Sequence, residues 1–255
     1  LLLRASLLAA ACATSARAVT VSVTDLTSTF STLEGMNGQP LTDLLSDQQT
    51  GQKSDDYVAN GTSGYYGFLM KFGQIGGVDS LVFRLRLDEI RSKSGNPDFQ
   101  GYAKIGIDAN GDGAVDIYLG VNDSGNSTGN IVYQNPSQTG GTYNTSPSTS
   151  SLGNEYGAVG ATSSNYLYGA VDDGSALNGT PDAMLTFATP FTTLQANLAA
   201  LGIAITQDSY LRFVAFTATN NNSVNQDVYG NPGDLSMSYA SAGFTNYYSA
   251  DGKVI

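Results

Sequence analysis

The segment SLVFRLRLDEI, residues 80–90, alternates with a period of two, and that period constrains the fold more than any other feature of the chain. Leu81, Phe83, Leu85 and Leu87 fall on one face; Val82, Arg84, Arg86 and Asp88 fall on the other. A helix would scatter these positions around its axis, whereas a strand collects them into one apolar and one polar surface. The reading is a half-buried strand with a solvated outer face. YAKIGID (residues 102–108) sets Ala103, Ile105 and Ile107 on one side, and AVDIYLGV (114–121) does the same with Val115, Ile117, Leu119 and Val121. Further strands are expected at 19–25, 65–72, 130–134, 165–171, 183–188, 210–219 and 235–239. Clusters of Gly, Asn, Asp and Ser separate them, the punctuation of turns between short strands. The expected fold is therefore mainly β: an antiparallel β-sandwich, jelly-roll-like, with one or two short helices and long surface loops.

One segment breaks the period. In TPFTTLQANLAALGI, Leu194, Leu198 and Leu201 recur at helical spacing, Thr192 and Gln195 form a capping-box pattern, and Gly202 stands where a helix would stop. A weaker helical turn is expected at 41–47. Residues 122–130 and 135–157 read as long loops, nearly free of aliphatic residues in the second case. No internal repeat of fixed period is present.

The first residues, LLLRASLLAAACATSARAVTVSV, carry an apolar run after Arg4 and a small-x-small site at Ala16-Arg17-Ala18. This is the pattern of a secretory signal peptide. It predicts two regions: a signal at 1–18 and a single β-sandwich domain at 19–255, with the product secreted or held at the cell surface. Cys12 lies inside the signal, and a lipoprotein cut before it is disfavoured because Ala9 stands three positions ahead in place of leucine. Removing Arg4 and Arg17 takes the formal charge from −11 to −13. So acidic a surface repels nucleic acid and anionic lipid and favours cations. No segment is long and apolar enough to be a transmembrane helix.

Composition excludes several chemistries. The chain has no histidine, and its one cysteine falls in the expected signal. Ser-His-Asp triads, Cys-His pairs and histidine-ligated zinc are excluded. The P-loop and dinucleotide-binding glycine patterns are missing as well. What remains for an enzyme is a carboxylate pair acting on glycosidic bonds. Glu34, Glu89 and Glu155 are the only glutamates, and none has an evident partner in sequence. An enzyme is therefore not the favoured reading.

The richest motif is IDANGDGAVDIYLGV, residues 107–121. Asp108, Asn110 and Asp112 occupy positions 1, 3 and 5 of a loop, Gly113 position 6, Ala114 position 7 and Asp116 position 9. A hard divalent cation takes six to eight oxygens, and alternate residues of a tight loop supply them. Ala114 would contribute its carbonyl. Three carboxylates within nine residues also repel one another unless a cation neutralises them, whereas a plain hairpin turn needs only Asn-Gly or Asp-Gly. The predicted metal ligands are Asp108, Asn110, Asp112, Ala114 and Asp116, and the predicted cofactor is calcium. Leu119 stands where an EF-hand carries its closing glutamate, so the loop is not an EF-hand. It resembles instead the calcium-binding hairpin of integrin-type propeller repeats, D-x-N-x-D-G-x-x-D followed by a strand with Gly120. Because the motif occurs once, the resemblance implies a calcium hairpin and not a propeller.

Other polar clusters carry weaker signals. Asp172, Asp173, Asn178 and Asp182 lack recognised ligand spacing, and whether they hold a second cation stays open. Asp47, Asp55 and Asp56 read most simply as solubilising charges. Tyr65, Tyr66, Tyr133, Tyr143, Tyr156, Tyr166 and Tyr168 could form a sugar-stacking face, although sheet packing accounts for them more simply. SVNQDVYG (223–230), with Asn225, Gln226 and Asp227, reads as a polar turn.

NTSPSTSSL, DAMLTFATPF, LAALGIAITQDSYLRFVAFTATNNNSVNQDVYG and FTNYYSADGKVI, together with KIGIDANGDGAVDIYLGV, resemble segments of bacterial exosortase-sorted surface proteins, the PEP-CTERM class. The similarity spans residues 65–255. It implies export, association with a surface or matrix, and a C-terminal sorting tail that would follow Ile255; it implies no catalytic residue. The combined expectation is an exported, calcium-stabilised β-sandwich of the bacterial surface or extracellular matrix, with surface polysaccharide or other matrix proteins as partners and no nucleic acid. The alternatives are a lectin-like carbohydrate-binding module and, third, a carboxylate-based polysaccharide-degrading enzyme.

Overall fold

Two antiparallel sheets face each other in the computed structural model, which describes residues 19–48, 52–61, 64–124, 129–136, 152–224, 226–230 and 244–249. The expected signal at 1–18, the expected strand at 235–239, Tyr143, Asn225 and most of the two expected long loops lie outside the described residues.

The first sheet has the order β1-β2-β3-β11-β10, from Ser31–Thr32, Phe68–Ile75, Val78–Leu87, Ala183–Pro190 and Tyr166–Ala170. The second has the order β13-β12-β6-β7-β8-β9, from Asp227–Val228, Arg212–Ala218, Tyr102–Asp108, Ile117–Asn122, Asn130–Gln134 and Tyr156–Gly160. A small hairpin pairs β4 (Ser92–Lys93) with β5 (Asn96–Pro97). The chain crosses between the two sheets three times, after β5, after β9 and after β11. Because side chains alternate, register decides which residues meet. Phe83 lies opposite Met70 and Phe187, and Ile105 opposite Leu119 and Ala215. These inward sets form one core between the sheets, joined where the Phe83 and Phe213 rings meet edge to face at 5.3 Å.

The outer faces are not solvated, which corrects the expectation for residues 80–90. Val82, Arg84, Arg86 and Asp88 are all buried. Val21, Val23 and Phe30 pack with Leu69, Val82 and Met184 in a second apolar cluster outside the first sheet. A third lies outside the second sheet and includes Tyr118, Val214, Phe216 and Phe244. A single strand's alternation shows which residues share a face, but not whether a distant segment covers that face. The expected strand at 19–25 is one such cover. It bonds to β2 through Val21 N–H to Gln74 O (3.0 Å) and Gln74 N–H to Val19 O (2.7 Å), with a single parallel bridge.

The helix α1, Phe191–Ala200, forms as its leucine spacing predicts, and buries Phe191, Leu194 and Leu198 against the inter-sheet core. Its N-terminus differs from expectation. Pro190 is the N-cap, and no side-chain cap bond forms there. Gln195 instead donates to Ile205 O at 2.9 Å. The stop is as expected: Gly202 has φ +82°, its N–H reaches Ala199 O, and Ile203 N–H reaches Leu198 O at 2.9 Å, a Schellman closure. The expected helical turn at 41–47 is a turn within extended chain, where Asp43 bridges Ala59. Strand β9 lies within and just beyond a stretch read as loop. It is a half-exposed edge strand whose pairing with β8 shifts register between Ile131 and Tyr133.

Candidate metal centres

The motif at 108–116 closes the hairpin between β6 and β7, with Asp116 N–H bonded to Ile107 O at 2.8 Å. Gly111 and Gly113 take φ +79° and +87°, the left-handed region that glycine tolerates, and so let the chain double back. The loop amides turn toward the acids. Asp108 accepts from Gly111 N–H (2.7 Å) and Gly113 N–H (3.1 Å). Asp116 accepts from Ala109 and Asn110, and Asp112 from Ala114. Burial pushes the Asp116 carboxyl up, opposed by its bond from Ala109 N–H and reinforced by the Asp108 and Asp112 charges. Asn110 and Asp112 are exposed on the tip.

Asp108 also has a partner that spacing could not reveal. It faces Arg212 in the β6–β12 register, and the guanidinium donates to its Oδ2 from Nη2 (2.5 Å) and Nε (3.1 Å). Phe244 and Tyr247 lie against that guanidinium, with ring centroids 4.8 and 4.6 Å away. One of the three loop charges is thus already balanced. The other two, Asp112 and Asp116, share the outer turn with the Asn110 amide.

The acids at 172–182 are organised by arginine. Arg86 is fully buried, and its guanidinium donates to Tyr66 O, Ser175 Oγ, both oxygens of Asp173, and Asp182 Oδ2 (3.2 Å). Asp182, also fully buried, accepts from Ser175 Oγ and Leu177 N–H as well. Burial would raise the Asp173 carboxyl, but the Arg86 and Ser175 bonds outweigh it and hold the group low. Asn178 donates to Asp88 and to Ser46. Two of these acids thus already carry a cationic partner in Arg86.

A different group of acids gathers where none was expected. Asp43, Asp47 and Asp227 offer carboxylate oxygens within 4.8 Å of one another, the one such trio of metal-ligating groups among the described residues. Asp56 stands beside them and accepts from Ser46 N–H (2.8 Å) and Gln48 N–H (3.3 Å), which holds the turn that presents Asp47. Asp43 Oδ1 accepts from Gly230 N–H, and Asp227 accepts from Tyr57 N–H and Val228 N–H, each at 2.6 Å. Asp43, Asp56 and Asp227 are buried, so the expectation that residues near 47–56 merely solubilise the surface fails. Three other buried acids form ion pairs: Asp108 with Arg212, Asp182 with Arg86, and Asp88 with Lys53. Among the described residues, none of Asp43, Asp47, Asp56 and Asp227 forms an ion pair with a lysine or arginine. Two full charges 4.8 Å apart repel by about 3.5 kcal/mol at an effective dielectric of about 20. Burial first, and then the neighbouring carboxylates, push Asp43 and Asp227 well above the ordinary carboxylate range. Burial also lifts Asp47 to about 6 and Asp56 to about 7. Such a centre must take up protons or a cation to be neutral at pH 7.

The tyrosines do not form a common exposed face. Tyr133 and Tyr168 belong to the inter-sheet core, Tyr156 and Tyr166 pack against it, and Tyr66 packs against the outer cluster of the first sheet. Glu155 accepts from Asn122 and lies 3.9 Å from Lys104. Asp227 belongs to the polar stretch at 223–230, but Asp43 and Asp47 lie some 180 residues away, and no sequence spacing could join them. Comparison of the chain with protein families, curated proteins and solved structures gives no match.

Proposed function

We propose that this chain is an exported, calcium-stabilised β-sandwich with a structural or binding role at a bacterial surface or in its matrix. The observation that carries the reading is the hairpin at 108–116. Its acids sit on one turn, its glycines take the required left-handed conformation, and its amides pin the carboxylates from behind. Asp108 Oδ1 and Asp112 Oδ1 each accept a single amide, which leaves each a second lone pair for a cation. Asn110, Asp112, Asp116 and the Ala114 carbonyl supply the outer oxygens, with Asp108 anchored by Arg212. The donors are all hard oxygen, the ligand type of calcium and not of zinc or copper.

Calcium at a few-fold excess over its dissociation constant would add about 1 kcal/mol to stability. Thermal melts of the whole chain in calcium and in chelator test this. The expected result is a calcium-dependent rise in Tm that Asp112→Asn and Asp116→Asn each reduce. An unchanged Tm, with no heat of binding at millimolar calcium, would remove the reading.

A further inference from the structure

We propose that Asp43, Asp47 and Asp227 bind a second hard divalent cation, of the calcium class, which clamps the irregular segment 43–48 onto strand β13 at the edge of the second sheet. Convergence of acids alone would not carry this; the surrounding donors do. The Oδ2 atom of Asp43 is buried and has no hydrogen-bond partner, and the same holds for Oδ1 of Asp47. The Tyr57 hydroxyl, 0 % exposed, is a third buried group without a partner. It lies within electrostatic reach of Asp227 and Asp43, and its ring is held edge-on to Tyr229 at 5.6 Å. Buried polar atoms in folded chains are satisfied almost without exception, so the unmet carboxylate oxygens of Asp43 and Asp47, in one converging trio of acids, mark a position where a ligand completes the set. The backbone amides of Gly230, Tyr57 and Val228 fix the carboxylates but supply no full positive charge. A divalent cation supplies it, and without histidine or thiolate donors the site suits calcium or magnesium.

The position also gives such an ion a mechanical task. Residues 43–48 contribute no strand or helix, and their one β-bridge, between Asp43 and Ala59, lies outside the two sheets. Asp227 stands on β13, which pairs with β12 over two residues only. An ion shared between them ties the N-terminal segment to the C-terminal strand, across some 180 residues of sequence.

The inference does not depend on the hairpin at 108–116, and one experiment separates the two. The whole chain, stripped with chelator, is titrated with calcium alone by calorimetry at pH 7, and with terbium while emission is excited through tyrosine. Asp47→Asn is the primary variant, because the Asp47 Oδ1 it alters makes no hydrogen bond; Asp43→Asn is the second. Both are expected to weaken one class of calcium site about tenfold or more and to abolish part of the tyrosine-sensitised emission. Both losses are expected again in an Asp112→Asn/Asp116→Asn background, where the hairpin no longer competes. In chelator, Asp47→Asn should melt at or above the parent, since it removes a repelling charge. Parent-like calcium affinity and terbium emission in Asp47→Asn would overturn the proposal, leaving shared protons to neutralise the acids. Loss of binding only in the hairpin variants would overturn it equally and keep the hairpin reading.

Discussion

Replacing Arg86 with methionine should be among the most costly single changes in the chain. The methionine keeps much of the volume and the apolar stem but removes every charged donor. Asp182, fully buried, then loses the guanidinium 3.2 Å away and keeps only Ser175 and Leu177 as donors. At an effective dielectric of about 20, a pair at this separation is worth about 5 kcal/mol of attraction, offset by desolvation of both ions. Breaking a buried pair from one side typically costs about 3–5 kcal/mol, because the remaining charge is stranded. The carbonyl of Tyr66 and the hydroxyl of Ser175 lose a donor as well. Urea unfolding at pH 7, followed by far-UV circular dichroism, measures the cost. The double variant Arg86→Met/Asp182→Asn removes both charges and should recover about 2 kcal/mol of it. A loss under about 1 kcal/mol for Arg86→Met, or simple additivity in the double variant, would refute the claim that this arginine is the structural cation of the 172–182 loop.

Two further predictions follow from single groups. Asp55 is buried, and burial lifts its carboxyl from 3.8 to about 6, against the pull of Arg91. Its folded form therefore holds a proton more tightly than the unfolded chain. The associated stability is fully present below about pH 3.8 and is lost as pH rises through about 6. Asp55→Asn should flatten the pH dependence of Tm across that window by an amount corresponding to at most about 3 kcal/mol, and an unchanged slope would count against it. Gly120→Ala should be disruptive although it sits in a regular strand. An added Cβ would lie 2.2 Å from Ala103 O and 2.9 Å from Lys104 Cα, atoms of the neighbouring strand that cannot move aside. The expected loss is about 2 kcal/mol or more in denaturant unfolding; a cost near zero would show that the β6–β7 spacing relaxes.

Much of the frame could be read from local pattern. The period of two located β3, β6 and β7, and the leucines at 194 and 198 with Gly202 located α1 and its end. These signals are legible because each is a contest between neighbours in sequence: pleat against helical turn, left-handed against right-handed backbone. The capping box at Thr192 was misleading for the same reason. Its residues have the right spacing, but the helix begins two residues earlier, at the end of β11, where Pro190 takes the cap.

The sequence by itself determined the β character, the turn chemistry of residues 108–116, the helix α1, and the exclusion of histidine-based chemistry. Tertiary structure alone decided where each charge went. Arg84, Arg86 and Asp88 read as a solvated strand face, yet distant segments cover them and turn them into interior polar groups. Asp108 has the spacing of a metal ligand, yet register brings Arg212 onto it. Asp43, Asp47 and Asp227 have no spacing in common, yet the fold draws their oxygens within 4.8 Å of one another. The reason is physical. Backbone geometry is set by near neighbours, whereas the energy of a charge is set by every group within a few ångströms, and in a sandwich of crossed strands most of those come from elsewhere in the chain.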